Sequence, residues 1–239
     1  MKVQLITINF IPLQRHTNTT MDRRAFKAAL FDLDGVVFDT EPQYTIFWRQ
    51  EARRYHPEIS DLEYLIKGQT LTQIYDGFFA DVADEQAEIT RRLNEYEQCM
   101  EYDYVSGFQD FIVDLRKQGI KTAIVTSSNL AKMQNVYRQH PEFKTFFDAI
   151  LTSEDFRESK PSPDCYLTGI SRLDSKSVDS IVLEDSFNGL KSGRASGAFV
   201  IALATSNPRE ALTAYADHII DNFQGLTAEK VSKIIVTHK

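Results

Sequence analysis

Two aspartates one residue apart, Asp32 and Asp34, close the apolar run "ALFD" within "ALFDLDGVVFDTE" (Ala29–Glu41). Side chains at i and i+2 of a strand point to the same side. Two carboxylates so placed at a buried strand end repel each other unless a cation or a shared proton holds them. The bland alternative, a surface turn, conflicts with the apolar residues on both flanks. Three more polar groups stand in comparable places. Thr126, Ser127 and Ser128 follow "TAIV", Lys160 lies in "SKPSPD", and Glu184 and Asp185 follow "SIVL". Taken singly, Thr126 reads as a β-branched strand residue, Lys160 as a solvated lysine and Asp185 as a helix N-cap. Together they form the inventory for phosphoryl transfer. Carboxylates hold Mg²⁺, which takes oxygen ligands. A hydroxyl and an ammonium grip phosphate oxygens. One free carboxylate attacks phosphorus and a second shuttles a proton.

The elements that must position these groups alternate along the chain. Lys27 to Asp32, "KTAIVTSS", "DAILTS", "DSIVLED", "AFVIAL" and "HIID" read as strands. Helices are expected over Phe108–Gln118, stopped by Gly119, over Leu130–His140, ended by Pro141, and over 163–172, 187–196 and 226–235. Near-continuous apolar strands alternating with helices predict a doubly wound parallel α/β sheet, covered on both faces. In such a sheet, sites form at the C-terminal strand ends, where every residue singled out above lies. Between the first and second strands, residues 39–104 carry helical periodicity with almost no strand signal. Tyr44, Phe47, Trp48, Ala52 and Tyr55 recur near 3.6-residue spacing, as do Ile89, Leu93, Tyr96 and Met100. This stretch reads as an inserted helical subdomain whose aromatic stripe is its own core. The core domain is then 21–38 plus 105–239. Residues 1–20 are expected to be a flexible extension, with Met21 a plausible start; a short strand over Val3–Phe10 is the alternative.

Composition narrows the function. The 239 residues carry a net charge of −7 without a basic stripe, which argues against nucleic acid. Cys99 and Cys165 lack metal or redox spacing, and the five histidines form no i, i+4 pair. The apolar stretch near the N-terminus is too short and too interrupted to span a membrane or to serve as a good signal peptide. The expectation is a cytoplasmic monomer acting on a small phosphorylated metabolite, with no nucleic-acid or membrane partner.

The four motifs, in order and each after the right element, resemble those of the haloacid dehalogenase superfamily. The resemblance covers the chain from about Ala28 to its end. It is strongest to the β-phosphoglucomutase-like and sugar-phosphate phosphatase branch, which has a helical cap inserted after the first motif. It implies Asp32 as nucleophile and Asp34 as acid/base, with Thr126, Ser127 and Lys160 on the phosphate. Mg²⁺ would be held by Asp32, the Asp34 main-chain carbonyl and Asp185, with Glu184 ligating directly or through water. Glu41 of "DTEP", Lys67, Gly68 and Gln69 of the cap loop, and Ser128 and Asn129 are expected to face the leaving group.

The chain departs from the mutase pattern in its cap. Tyr44 stands where the mutase has a histidine, and Leu71 falls at the position of an arginine that grips the distal phosphate. A leucine cannot hold a phosphate. The expected activity is therefore Mg²⁺-dependent hydrolysis of small phosphate monoesters through an aspartyl-phosphate, with β-phosphoglucomutase as the alternative. A phosphonate hydrolase would need Lys67 as a Schiff-base lysine. A dehalogenase is disfavoured by the second aspartate, Asp34, and a non-catalytic phosphometabolite-binding module by the intact set of acids and lysine.

Overall fold

The computed structural model describes residues 25–238. Met21 and the alternative strand Val3–Phe10 lie outside them. Six strands form one wholly parallel sheet in the order β3-β2-β1-β4-β5-β6. They are β1 (Ala28–Phe31), β2 (Lys121–Val125), β3 (Ala149–Leu151), β4 (Ser180–Glu184), β5 (Phe199–Leu203) and β6 (His218–Ile220). The doubly wound parallel sheet expected from the alternation is the one observed.

Strand alternation sorts the core into two faces. Ala29, Phe31, Ile124 and Leu183 pack on one side with α5 (Phe108–Lys117), α6 (Leu130–Gln139) and α10 (Ala228–His238). Ala28, Leu30, Val125 and Val182 pack on the other with α7 (Asp164–Arg172), α8 (Phe187–Ala195) and the short α9 (Arg209–Leu212). Phe31 is fully buried and meets the Phe108 ring edge-on at 5.8 Å. Burial of such a side chain stabilises by about 1.5–3 kcal/mol, and here it pins the strand end that leads into Asp32.

Register is what gathers the motifs. Phe31 pairs with Ile124 on one side and Leu183 on the other. The next residue, Asp32, therefore falls level with Val125 and Glu184, with Thr126 and Asp185 one step further on. The Asp32 amide still donates to the Leu183 carbonyl (3.0 Å) and the Thr126 amide to Leu151 (3.0 Å). These strand ends share one edge, between helices that continue to opposite faces.

Between β1 and α5 lie the helices of the cap: α1 (Glu41–Tyr55), α2 (Leu62–Leu65), α3 (Leu71–Phe78) and α4 (Gln86–Cys99), with a 3₁₀ turn at Ala80–Glu85. Phe47, Trp48, Ala52, Phe79, Ile89 and Leu93 form their own apolar cluster, joined by Tyr44, Tyr55 and Tyr96. The aromatic stripe is thus cap core. The break before α3 had a legible signal, a Thr-x-x-Gln capping box. The Gln73 amide donates to Thr70 Oγ1 and the Thr70 amide to Gln73 Oε1. Both cysteines are free, and no described helix is long and apolar enough to cross a membrane.

Candidate active site

The turn after β1 sets the first constraint. Gly35 takes φ +73°, and a Cβ there would lie 2.1 Å from Asp185 Oδ2. Only glycine lets the chain turn this tightly with that carboxylate alongside. Asp32, Glu184 and Asp185 each place an oxygen within 4.8 Å of the others. Lys160 lies among them, its side chain 2% exposed. Its ammonium donates to Asp32 Oδ1 (2.5 Å), Glu184 Oε1 (2.5 Å) and the Val125 carbonyl (3.2 Å).

One cation does not neutralise this crowd. Burial pushes the Asp32 carboxyl up to about 7, against the pull of Lys160 and aided by Glu184 and Asp34. Burial, then Glu41, Glu184 and Asp32 as like-charged neighbours, drive Asp185 well above the carboxylate range. Burial alone would lower the Lys160 pKa; Asp32 and Glu184 reverse that and hold the ammonium charged. Three carboxylates gathered at a closed strand edge, two of them raised by burial, fit a hard divalent cation.

The two acids of the fourth motif differ. Both Glu184 oxygens are occupied by protein donors. Oε1 accepts from Lys160 and the Tyr166 hydroxyl (2.9 Å); Oε2 accepts from the Asp185 amide (3.0 Å) and the Ser186 amide and hydroxyl (3.1 Å each). Asp185 Oδ2 accepts from the Ser206 hydroxyl, and the Asp185 carbonyl accepts from Asn207 Nδ2 (2.9 Å). Thr205 Oγ1 donates to the Gly35 carbonyl (2.5 Å). The sequence reading passed over Thr205, Ser206, Asn207 and Tyr166. "TSN" follows β5 after a single alanine, so its position at a fifth strand end was a usable signal.

Asp34 has a separate set of partners. Lys132 Nζ lies 2.5 Å from both of its oxygens, the Thr40 hydroxyl donates at 2.5 Å and the Ser128 hydroxyl at 3.0 Å. Burial would raise the Asp34 pKa; Lys132, Thr40 and Ser128 more than offset it and hold the carboxyl below its ordinary value. Lys132 was also missed. It sits in the first turn of α6, where the helix dipole disfavours a cation. A local rule broken in this way is itself a functional signal. Asn129, expected to face substrate, is the N-cap of that helix, its Oδ1 accepting from the Lys132 amide (2.9 Å).

A cavity of about 570 Å³ opens between these strand ends and the cap. Asp32, Asp34, Thr126, Ser127, Ser128, Asn129, Lys160 and Asp185 line its floor; Glu41, Tyr44, Lys67, Gly68, Gln69, Leu71 and Glu97 line the cap side. Glu184 lies behind the floor, fully buried. At the rim of this cavity the cap meets the core through Gly68 and Gln73. Gly68 (φ +69°) packs so closely that a Cβ would lie 2.4 Å from Ser186 Cβ, and Gln73 Nε2 donates to the Lys160 carbonyl at 2.9 Å. Lys67 Nζ is 3.2 Å from Glu41 Oε2. The Tyr44 hydroxyl donates to Glu97 Oε1 (2.8 Å), and Lys132 Nζ is 4.5 Å from the Tyr44 ring centroid.

The acid crowd has a measurable consequence. Unfolded aspartates titrate near 4. From there to about pH 7 the folded state keeps a proton on Asp32 that the unfolded state has released, so this group costs stability as pH rises through that window, and the raised Asp185 acts in the same direction. The Lys160 shift acts only at alkaline pH and the Asp34 shift only below about 4. The rise in Tm on adding Mg²⁺ to metal-free protein is therefore expected to be larger at about pH 7.5 than at about pH 5. Thermal denaturation at both values checks this; an equal or reversed effect contradicts it.

The family described as haloacid dehalogenase-like hydrolase matches residues 29–203. Hexitol phosphatase A of Escherichia coli (strain K12) is 32% identical over 184 residues, covering 74% of this chain and 82% of that protein. The bifunctional riboflavin kinase/FMN phosphatase of Arabidopsis thaliana is 26% identical over 218 residues, covering 87% of this chain. The chain spans only 56% of that larger protein's length. The crystal structure of β-phosphoglucomutase from Clostridium difficile superposes with a TM-score of 0.74 at 21% identity, covering 89% of this chain and 98% of that one, a likeness of fold.

Proposed function

The chain belongs to the haloacid dehalogenase-like hydrolases, and from that premise we propose that it is a Mg²⁺-dependent phosphatase of small, hydroxyl-bearing phosphate monoesters. The observation that carries the reading is the contrast between its two first-motif carboxylates. Asp32 lies in the acid cluster beside Lys160, while Asp34 is held ionised by a lysine and two hydroxyls of its own. Environments that push two acids apart assign them different roles.

Asp32 and Asp185, with the Asp34 main-chain carbonyl that the family resemblance implies, would hold Mg²⁺, which supplies the charge that offsets repulsion between carboxylate and phosphate. Glu184, with both oxygens engaged, is proposed to act through water and to orient Lys160. Asp32 attacks phosphorus, and the bond to the leaving oxygen breaks. The Asp34 carboxyl gives its proton to that oxygen. The dianionic ester beside Asp34 opposes the hold of Lys132 and favours this protonated form. Asp34, now a carboxylate, takes a proton from water as the water attacks phosphorus. The phosphorus–Asp32 bond breaks, inorganic phosphate leaves with Asp32 free again, and Asp34 returns to solvent the proton that it took up from solvent when the ester bound. Lys160, Thr126 and Ser127 take up charge on the phosphoryl oxygens. A panel of phosphate monoesters assayed for phosphate release, with Mg²⁺ and with chelator, tests the reading; no release from any of them refutes it.

Two alternatives make different predictions. Lys67 is ion-paired with Glu41, whereas a Schiff base needs a free amine. A mutase must retain and turn a bisphosphate, and Leu71 offers nothing to the distal phosphate. Charge-assisted contacts contribute roughly 1.5–3 kcal/mol each, so capture of the bisphosphate is expected to be weaker by about one to two decades. Conversion of β-glucose 1-phosphate to glucose 6-phosphate should be negligible even with the 1,6-bisphosphate supplied. A coupled glucose 6-phosphate assay in which mutase turnover outruns phosphate release reverses the assignment.

Lys132 should matter by positioning the Asp34 carboxyl, both of whose oxygens it holds. Lys132→Met is expected to slow hydrolysis of alkyl phosphates by about a hundredfold, the scale of a general acid's contribution. Hydrolysis of p-nitrophenyl phosphate, whose leaving group needs no proton, should fall far less, and Lys132→Arg should recover part of the loss. Equal losses on both esters would reduce Lys132 to a packing role.

A further inference from the structure

Electrostatics of the cap wall narrow the substrate class, an inference that rests on the phosphatase reading. Among the described residues lining the cavity there is no arginine or histidine, and all three lysines are already paired. Lys160 binds Asp32 and Glu184, Lys132 binds both oxygens of Asp34, and Lys67 binds Glu41. No cation on the cap side is left for a second anionic group.

Glu97 adds an acid to this wall; burial pushes its carboxyl up, and Lys132 and the Tyr44 hydroxyl pull it back toward the charged form. It comes from α4, is 6% exposed and lines the cavity. One oxygen accepts the Tyr44 hydroxyl; the other has no hydrogen-bond partner among the described residues. Lys132, the cation whose charge acts on it, is committed to Asp34. A buried carboxylate accepts hydrogen bonds and donates none, so a free oxygen facing a cavity suits a donor and repels an anion. Glu41 stands in the same wall, its charge spent on Lys67.

We propose that the substrate is a phosphate monoester whose organic part offers hydrogen-bond donors and carries no second anionic group, and that Glu97 is the residue that enforces this. Esters with a carboxylate or a second phosphate meet Glu97 with nothing to neutralise them. At a separation of several ångströms and an effective dielectric near 20, that repulsion corresponds to about 30- to 100-fold in kcat/KM.

Matched esters test this. Glycerol 1-phosphate and 3-phosphoglycerate differ by CH₂OH against COO⁻ on one three-carbon chain, as do glucitol 6-phosphate and 6-phosphogluconate on a six-carbon chain. In the better-accepted pair, the alcohol is expected to exceed the acid by at least about 30-fold in kcat/KM, and Glu97→Gln should narrow that ratio about tenfold. A ratio taken on one preparation does not depend on how much of it is folded. If the glutamine variant gives no active protein, Glu97→Ala replaces it, and the wild-type ratios already decide the substrate class. Hydrolysis with wild-type ratios within threefold overturns this inference and leaves the phosphatase reading standing. A strong wild-type preference unchanged in Glu97→Gln overturns the role of Glu97. No release from any of the four esters, when other monoesters of the panel are hydrolysed, overturns this inference alone; no release from the whole panel removes both readings.

Discussion

Asp32→Asn is expected to abolish turnover, with kcat lower by at least about 10⁴ and no residual covalent route. An amide is not a nucleophile toward phosphorus at neutral pH, and no other carboxylate shares the place of Asp32 at the end of the central strand. The fold should survive. The Asp32 main-chain amide keeps its bond to the Leu183 carbonyl, and the amide side chain can turn its oxygen toward Lys160. Removing one carboxylate from the cluster should also weaken Mg²⁺ binding. Phosphate release, thermal denaturation and calorimetric Mg²⁺ titration check the three parts together. Wild type quenched in acid during turnover should carry one phosphoryl group by intact mass, and the variant none. Turnover well above background in pure, folded variant would rule out Asp32 as the attacking group.

Lys160→Met should cost both activity and stability. Its ammonium joins Asp32, Glu184 and the Val125 carbonyl in a site closed to solvent. Removing one partner of a buried pair strands the other charges, at about 3–5 kcal/mol. For a chain of this size that corresponds to a Tm lower by roughly 6–20 °C. Excess Mg²⁺ should restore part of the Tm, because it neutralises the same carboxylates. It should not restore turnover, which is expected to stay about a thousandfold low because the donor to the phosphoryl oxygens is gone. A variant with wild-type Tm in metal-free buffer would show that Lys160 does not balance the acid cluster.

The fold and the candidate site were legible where they depend on neighbours in the chain. Asp32, Thr126, Glu184 and Asp185 each follow a short, continuously apolar run, so recognising a buried strand also locates the polar residue that leaves it. Gly119 and Pro141 marked helix ends because their backbones restrict what can follow. The cap announced itself through the 3.6-residue repeat of its aromatics. Where local rules were followed less closely, legibility fell. Lys132 opens a helix against the dipole and reads locally as a surface lysine. The residues after β5 follow a strand end already read, yet carry none of the usual motif spacing.

By itself the sequence determined which groups lie at the strand ends, that the sheet is parallel, and that a helical insert covers it. Each of these follows from periodicity and from residues adjacent in the chain. The tertiary structure alone decided the pairings. Lys132 reaches Asp34 across 98 positions, Gln73 reaches the Lys160 carbonyl across 87, and Tyr44 reaches Glu97 across 53. Such partners are chosen by strand register and by the seat of the cap on the core, and no pattern within one element encodes either. The division of labour proposed for Asp32 and Asp34 therefore rests on three-dimensional contacts. Two identical side chains two residues apart acquire opposite electrostatic surroundings because one faces the acids of β4 and the other the lysine of α6.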